Sequence, residues 1–225
     1  MFLTDWKDAL FIHFRVDPGR LQEWVPLRLD LREGWAYVSL VAFTQKRLRP
    51  AMGGAAAEFL SRPLAGHEFL NLRTYVVHDG EPGIYFLEEW ISNRLAVFLG
   101  PRLYGLPYRL GRMSYQTGAG YAMRQVVAGG HFACAAKWNA GDLPVASERG
   151  SEAEFLLERY TAFTVRGGKV RRFRITHEPW RKREAEVAIE RRDLLGDVPM
   201  GDLCGAHYSE GLGNVGISWC RTAVR

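Results

Sequence analysis

The stretch YTAFTVRGGKVRRFRIT, Tyr160 to Thr176, sets two β-rich arms on either side of Gly167-Gly168. β-Branched and aromatic residues fill the first arm. The second alternates basic with apolar residues, the period-two pattern of a half-exposed strand. A Gly-Gly pair tolerates the positive φ of a tight turn, so the stretch reads as an antiparallel hairpin.

Other segments repeat the theme. FLNLRTYVVHDGEPGIYFLEEW, Phe69 to Trp90, reads strand, Asp-Gly turn, strand, and GWAYVSLVAF, Gly34 to Phe43, is rich in strand formers. MSYQTGAGYAMRQVV and GGHFACAAKWNA give further sheet signals with glycines at turns and close approaches, and AEVAIE reads as another strand. Helices are short. VDPGRLQEWVP has Asp17 as N-cap, Pro18 at the first helical position and a stop at Val25 before Pro26. SNRLAVFLGPRLYG has a Ser92 cap and an interruption at Gly100-Pro101, and SEAEFLLERY a capping box from Ser151 to Glu154. Strand-helix alternation of the doubly wound kind is missing, so the fold class is α+β, an antiparallel β barrel or cone with short flanking helices. With no repeat or long linker in its 225 residues, the chain reads as a single domain over 1–225.

Composition narrows the function classes. Hydrophobic residues make up 47% of the chain, ample for a core. The start, MFLTDWKDALFIHF, carries Asp5, Lys7 and Asp8 ahead of any apolar run, unlike a secretory signal, and no stretch approaches the length of a membrane span. Cys134, Cys204 and Cys220 are odd in number and far apart, which points to a reducing cytoplasm. The net charge of +5 is concentrated between Arg166 and Arg183, where eight basic residues face one acid, Glu178. Alternation within KVRRFRI makes this a solvated sheet face, so no specific nucleic-acid partner is expected. The sequence leaves a homo-oligomer open.

Motifs exclude more than they assign. GLGNVG, Gly211 to Gly216, matches the dinucleotide fingerprint, but the few residues after it cannot supply a βαβ unit, so a glycine-rich loop is expected. His13, His67, His78, His131, His177 and His207 lack metal-ligand spacing, and no G-x-S-x-G elbow occurs, so no metal and no cofactor are expected. What remains is a set of polar residues in apolar surroundings. Tyr108 and Arg109 follow a Gly-Leu-Pro turn, and Glu68, Asn71 and Arg73 lie in HEFLNLRTYVV. In a regular strand Asn71 and Arg73 share one face and Glu68 takes the other, unless a bulge near Phe69 resets the alternation. Whether Arg73 meets a pocket or solvent stays open.

HFRVDPGRLQEWVPLRLDL, HEFLNLRTYVV, LYGLPYRLG, RYTAFTVRGGKV and HEPW, in this order from about Trp6 to Tyr208, resemble domain-of-unknown-function family 2071, the YqjF-like proteins. That family is similar in turn to acetoacetate decarboxylase. The resemblance implies an antiparallel barrel or cone with flanking helices around a buried apolar site. In the decarboxylase a lysine after a Tyr-Pro turn forms a Schiff base, its pKa lowered by a neighbouring lysine and by desolvation. Laid along that pattern, Tyr108 takes the Schiff-base position and Arg109 its neighbour, Glu68 matches one glutamate, a second falls near Ser39, and the substrate arginine near Lys7. The amine is missing, and guanidinium cannot replace it.

The expected ligand-binding residues are therefore Tyr108, Arg109, Glu68, Asn71 and Arg73, around a small carbonyl- or carboxylate-bearing molecule in an apolar cone. An enzyme without a Schiff base, with Tyr108 as proton donor and Glu68 as base, is the alternative. A partner-binding module with a filled pocket is the third reading. A buried Arg109 would need an anionic partner, and Glu68 is the candidate.

Overall fold

The hairpin at Gly167-Gly168 is present, with φ of 57° and 72° at the two glycines and Arg166 opposite Lys169. The structure, a computed structural model, describes residues 1–118, 121–127, 131–139 and 141–223. In chain order the elements are β1 (Phe2–Val16), α1 (Pro18–Gln22), β2 (Ala36–Pro50), α2 (Gly54–Ser61), β3 (His67–His78), β4 (Glu81–Ile91), α3 (Arg94–Leu103) and β5 (Tyr108–Leu110). Then come β6 (Arg112–Gly118), β7 (Tyr121–Val127), β8 (His131–Lys137), β9 (Val145–Ala146), α4 (Glu152–Leu157), β10 (Thr161–Arg166) and β11 (Lys169–Thr176). The last are β12 (Arg181–Glu184), β13 (Glu186–Arg192), β14 (Asp202–Ile217) and β15 (Arg221–Thr222). The turn glycines expected at Gly120, Gly129 and Gly130 lie outside the described residues.

The larger sheet runs β11-β10-β4-β3-β2-β1-β14 through its centre. Its ends meet only through Ile175↔Ile217 and Thr176↔Gly216, so the strands form a ring-like cone and not a closed barrel. Pairing is antiparallel except where β4 lies parallel to β10 and β5. A second sheet, β13-β8-β7-β6, lies outside. Even-numbered side chains of β1, β2 and β3, among them Leu10, Ile12, Val38, Leu40, Leu70 and Leu72, pack into one core cluster with Phe132, Cys134 and Ala136 of β8. Odd-numbered ones face the inside of the cone in the regular stretches, and register shifts toward the strand ends bring Phe2, Trp6 and Leu48 to that side too. With both faces of these strands buried, they read as near-continuous apolar runs and not as clean alternation.

Three local readings change. Asn93, not Ser92, caps α3, its Oδ1 accepting from Ala96 N at 3.0 Å, because the Ser92 hydroxyl is engaged by Glu68. The helix continues through Pro101 to Leu103. Gly211 to Gly216 is not a loop but part of β14, and glycine is required at Gly211 by close approach. A Cβ there would come within 2.0 Å of the Trp6 carbonyl oxygen, at a φ of +116°. The other caps match, with Asp17 accepting from Arg20 N and Ser151 from Glu154 N.

The basic segment is a solvated face with structural duties. Arg166 donates to the carbonyls of Pro101 and Arg102, and Arg171 to that of Leu103, so both neutralise the negative end of α3. Arg172 and Arg174 pair with Glu81, and Arg183 with Glu210.

Candidate functional site

The inside of the cone holds a cavity of about 190 Å³ whose wall is built in rows across the strands. Near the rim, Trp6 of β1 stands opposite Gln45 of β2, which stands opposite His67 of β3. The next layer is a stacked pair, Phe43 and Phe69, with ring centroids 4.9 Å apart. Below it Val41, Asn71, Glu89 and Tyr108 are in register across β2, β3, β4 and β5. A further row sets Ser39 opposite Arg73 and Arg73 opposite Phe86.

β3 is regular, so His67, Phe69, Asn71 and Arg73 all line the cavity and Glu68 does not. β4 is not regular. Leu72 pairs with Glu88 but Arg73 with Phe86, which leaves Leu87 as an extra residue. This bulge switches the inward series from Ile84 and Phe86 to Glu89, and turns Glu88 outward. Tyr108 faces in from β5, and Arg109, the next residue, consequently faces out. Gly100 of α3 supports the Tyr108 ring so closely that a Cβ there would lie 2.2 Å from its Cε2. Phe69 meets the same ring edge-on at 6.0 Å.

Two expected site residues are thus displaced from the cavity. The Arg109 side chain is 64% exposed and binds Glu88 at 2.6 Å. Glu68 accepts from the Ser92 hydroxyl at 2.5 Å. The Glu68–Arg109 ion pair anticipated from the sequence is not formed, because strand alternation sends each residue away from the cavity. Lys7 is exposed. Ser39 is buried in a separate network, where His13 Nδ1 lies 2.7 Å from its hydroxyl and His13 Nε2 lies 3.0 Å from His207 Nδ1. His207 in turn meets Glu184 at 3.3 Å, and Ser39 Oγ lies 2.6 Å from the Tyr75 hydroxyl, which donates to Leu156 O.

Glu89, His67, Gln45, Trp6 and Trp180 are cavity residues that the sequence did not single out. Trp180, from the HEPW motif, stacks on Trp6 at 6.0 Å and meets Phe11 edge-on at 5.0 Å. Five lining side chains carry buried polar atoms without a hydrogen-bond partner among the described residues: Trp6 Nε1, both His67 nitrogens, Asn71 Oδ1, Arg73 Nε and one Glu89 oxygen. Burial pushes the Glu89 carboxyl well above its ordinary range. Burial, then Glu89 and Tyr104, push the Tyr108 phenol up. Burial pulls His67 down to about 4, against the opposing pull of Glu68. The wall therefore presents a carboxyl and an imidazole whose burial disfavours their charged forms, together with a phenol, amides and one guanidinium, Arg73.

No lysine is found among the described residues that line the cavity, and no group of three or more His, Cys, Asp or Glu among the described residues is arranged to hold a metal ion. No described helix is long and apolar enough to cross a membrane.

Family 2071 (DUF2071), an uncharacterized conserved protein family, matches residues 4–212. The chain belongs to this family. The uncharacterized protein YqjF of Bacillus subtilis (strain 168) is 34% identical over 193 residues, covering 82% of this chain and 76% of that protein. Among solved structures, an acetoacetate decarboxylase superposes with a TM-score of 0.70 at 13% identity, over 99% of this chain and 88% of its own. The enduracididine biosynthesis enzyme MppR complexed with pyruvate superposes with a TM-score of 0.67 at 11% identity, over 99% and 90%. These likenesses establish the acetoacetate decarboxylase-like fold for this family member, and at such identities they establish the fold alone.

Proposed function

We propose that the cone binds a small organic monoanion bearing a carboxylate and a carbonyl, through Arg73, Asn71, Glu89 and Tyr108. The charge balance of the cavity wall carries this reading. Arg73 has no carboxylate partner among the described residues; its guanidinium donates to Leu156 O at 3.1 Å, and its Nε is buried. Contacts to the Phe11 and Tyr75 rings, at 5.7 and 6.0 Å, offset part of its desolvation. Glu89 makes no ion pair with it, and burial favours that carboxyl's protonated form. A ligand carboxylate supplies the missing charge, while the Glu89 acid, the Tyr108 phenol and Asn71 offer hydrogen bonds to a carbonyl.

The reading is recognition without imine formation. The position at which the resemblance to acetoacetate decarboxylase implies a nucleophilic amine holds a phenol. Burial favours the protonated forms of Tyr108 and Glu89, and Glu68 is engaged by Ser92 outside the cavity. The basic segment belongs to the fold's own surface, and nucleic acid is not the ligand.

Trp6 and Trp180 report on the cavity, so tryptophan fluorescence tests the reading. Pyruvate and acetoacetate are expected to give saturable changes at millimolar concentration, and the uncharged pyruvamide none. Borohydride with acetoacetate should leave every lysine unmodified. A lysine adduct, or equal responses to acid and amide, contradicts the proposal.

A further inference from the structure

The cavity does not end at the polar row. On β2 its wall continues from Val41 past Phe43 and Gln45 to Leu48, seven residues or about 20 Å of strand. Its volume of about 190 Å³ compares with the roughly 10–15 Å³ of such space that one water needs. A three-carbon acid at Arg73 and Glu89 leaves most of it unfilled.

The unfilled part is lined mostly by apolar side chains, with Gln45 and His67 as its polar members. Phe2, Leu48, Leu64, Leu99, Leu103 and Ile217 join Trp6 as apolar lining residues toward the rim that keep contact with solvent. No charged side chain lies among them. Outside the rim lie Phe98, 54% exposed and with the Arg102 guanidinium 3.8 Å from its ring centroid, and Trp219, 52% exposed, whose ring meets that of Phe2 at 4.9 Å. Polar groups at the far end, one cation among them, and a mostly apolar passage to the surface together define an amphipathic ligand.

We infer that the ligand class is a medium-chain acid with a carbonyl near its carboxylate, its head at Arg73, Asn71 and Glu89 and its alkyl tail running out between Leu48, Leu99 and Leu103. This rests on the monoanion reading above and names the substrate class of the same site. A polar rim would be needed to discharge a short, fully hydrated acid. An apolar one instead continues to desolvate a chain as it lengthens.

The test is a titration of the full chain, by tryptophan fluorescence and calorimetry, with straight-chain α-keto acids of three, five, seven and nine carbons. Affinity is expected to rise about threefold to fourfold per added methylene, the equivalent of ~0.8 kcal/mol per buried CH₂. Leu103→Asp, at an exposed rim position, should lower that slope. Alcohols of matched chain length should bind at least tenfold more weakly. Short acids that bind with no gain on lengthening overturn the chain inference and leave the monoanion reading standing. Failure of every acid to bind removes both. Acids and alcohols that tighten equally indicate nonspecific apolar binding and also overturn the inference.

Discussion

Glu89 and Tyr108 stand in register across the parallel β4–β5 pair, a buried carboxyl beside a phenol, and the carboxyl raises the phenol's pKa further. Burial thus favours the protonated, hydrogen-bond-donating form of both. Their ordering depends on one extra residue in β4. Without the bulge at Leu87, Glu88 would face inward and Glu89 would pair with solvent.

A carboxyl whose folded-state pKa is raised gives stability that is fully present below its unfolded value near 4.5 and is lost as pH rises through the folded value. Wild type should accordingly be less stable at pH 8 than the Glu89 variant lacking this titration. Glu89→Gln is expected to raise the melting temperature at pH 8 by about 2–4 °C, roughly 1 kcal/mol for a chain of this size. The gain should vanish near pH 4. Melts of both proteins across that range decide it, and a gain independent of pH would mean that Glu89 titrates normally.

His67 works in the other direction. Its folded-state pKa, drawn down to about 4, gives stability present above 6.5 and lost as pH falls toward 4. His13 and His177 are lowered too and act with the same sign. Urea unfolding at pH 7 and pH 5 should show wild type losing up to about 2 kcal/mol more than His67→Asn, since a fully shifted group contributes at most ~1.4 kcal/mol per pH unit. Parallel losses in the two proteins would place the His67 ring in water.

Alanine for glycine usually favours a helix by about 1 kcal/mol. At Gly100 the result should reverse, because the added methyl meets the Tyr108 ring at 2.2 Å. Gly100→Ala is expected to destabilise the protein by about 1–3 kcal/mol. Tyr108→Ala should recover much of that loss in the double variant, a coupling visible in a four-way denaturation cycle. Additive effects would show that helix α3 does not seat the ring.

The hairpin at Gly167-Gly168, the caps at Asp17 and Ser151, and the single face shared by Asn71 and Arg73 were legible because each depends on a few adjacent residues, whereas the inward direction of that face depends on the whole sheet. The placement of Arg109 was a misreading that the same period-two rule could have prevented, since a Tyr108 that faces inward requires its neighbour to face outward. Glu89 was not legible. Nothing in FLEEW says which glutamate turns inward, because that depends on where β4 bulges against β3. Trp6, Gln45 and His67 come together only through strand register over tens of residues. Trp180 enters the cavity from a segment whose sequence reads as structural.

In the proposed site Arg73, not Arg109, is the cation that receives the ligand. Calorimetric titration of pyruvate or a longer α-keto acid into wild type, Arg73→Met and Arg109→Met tests it most directly. Removing the cation of a charge-assisted hydrogen bond is worth about 1.5–3 kcal/mol, so Arg73→Met should weaken binding by roughly tenfold or more. Arg109→Met, which breaks only the outward pair with Glu88, should leave the dissociation constant within about twofold of wild type. Loss of binding in Arg109→Met together with wild-type affinity in Arg73→Met would contradict the account.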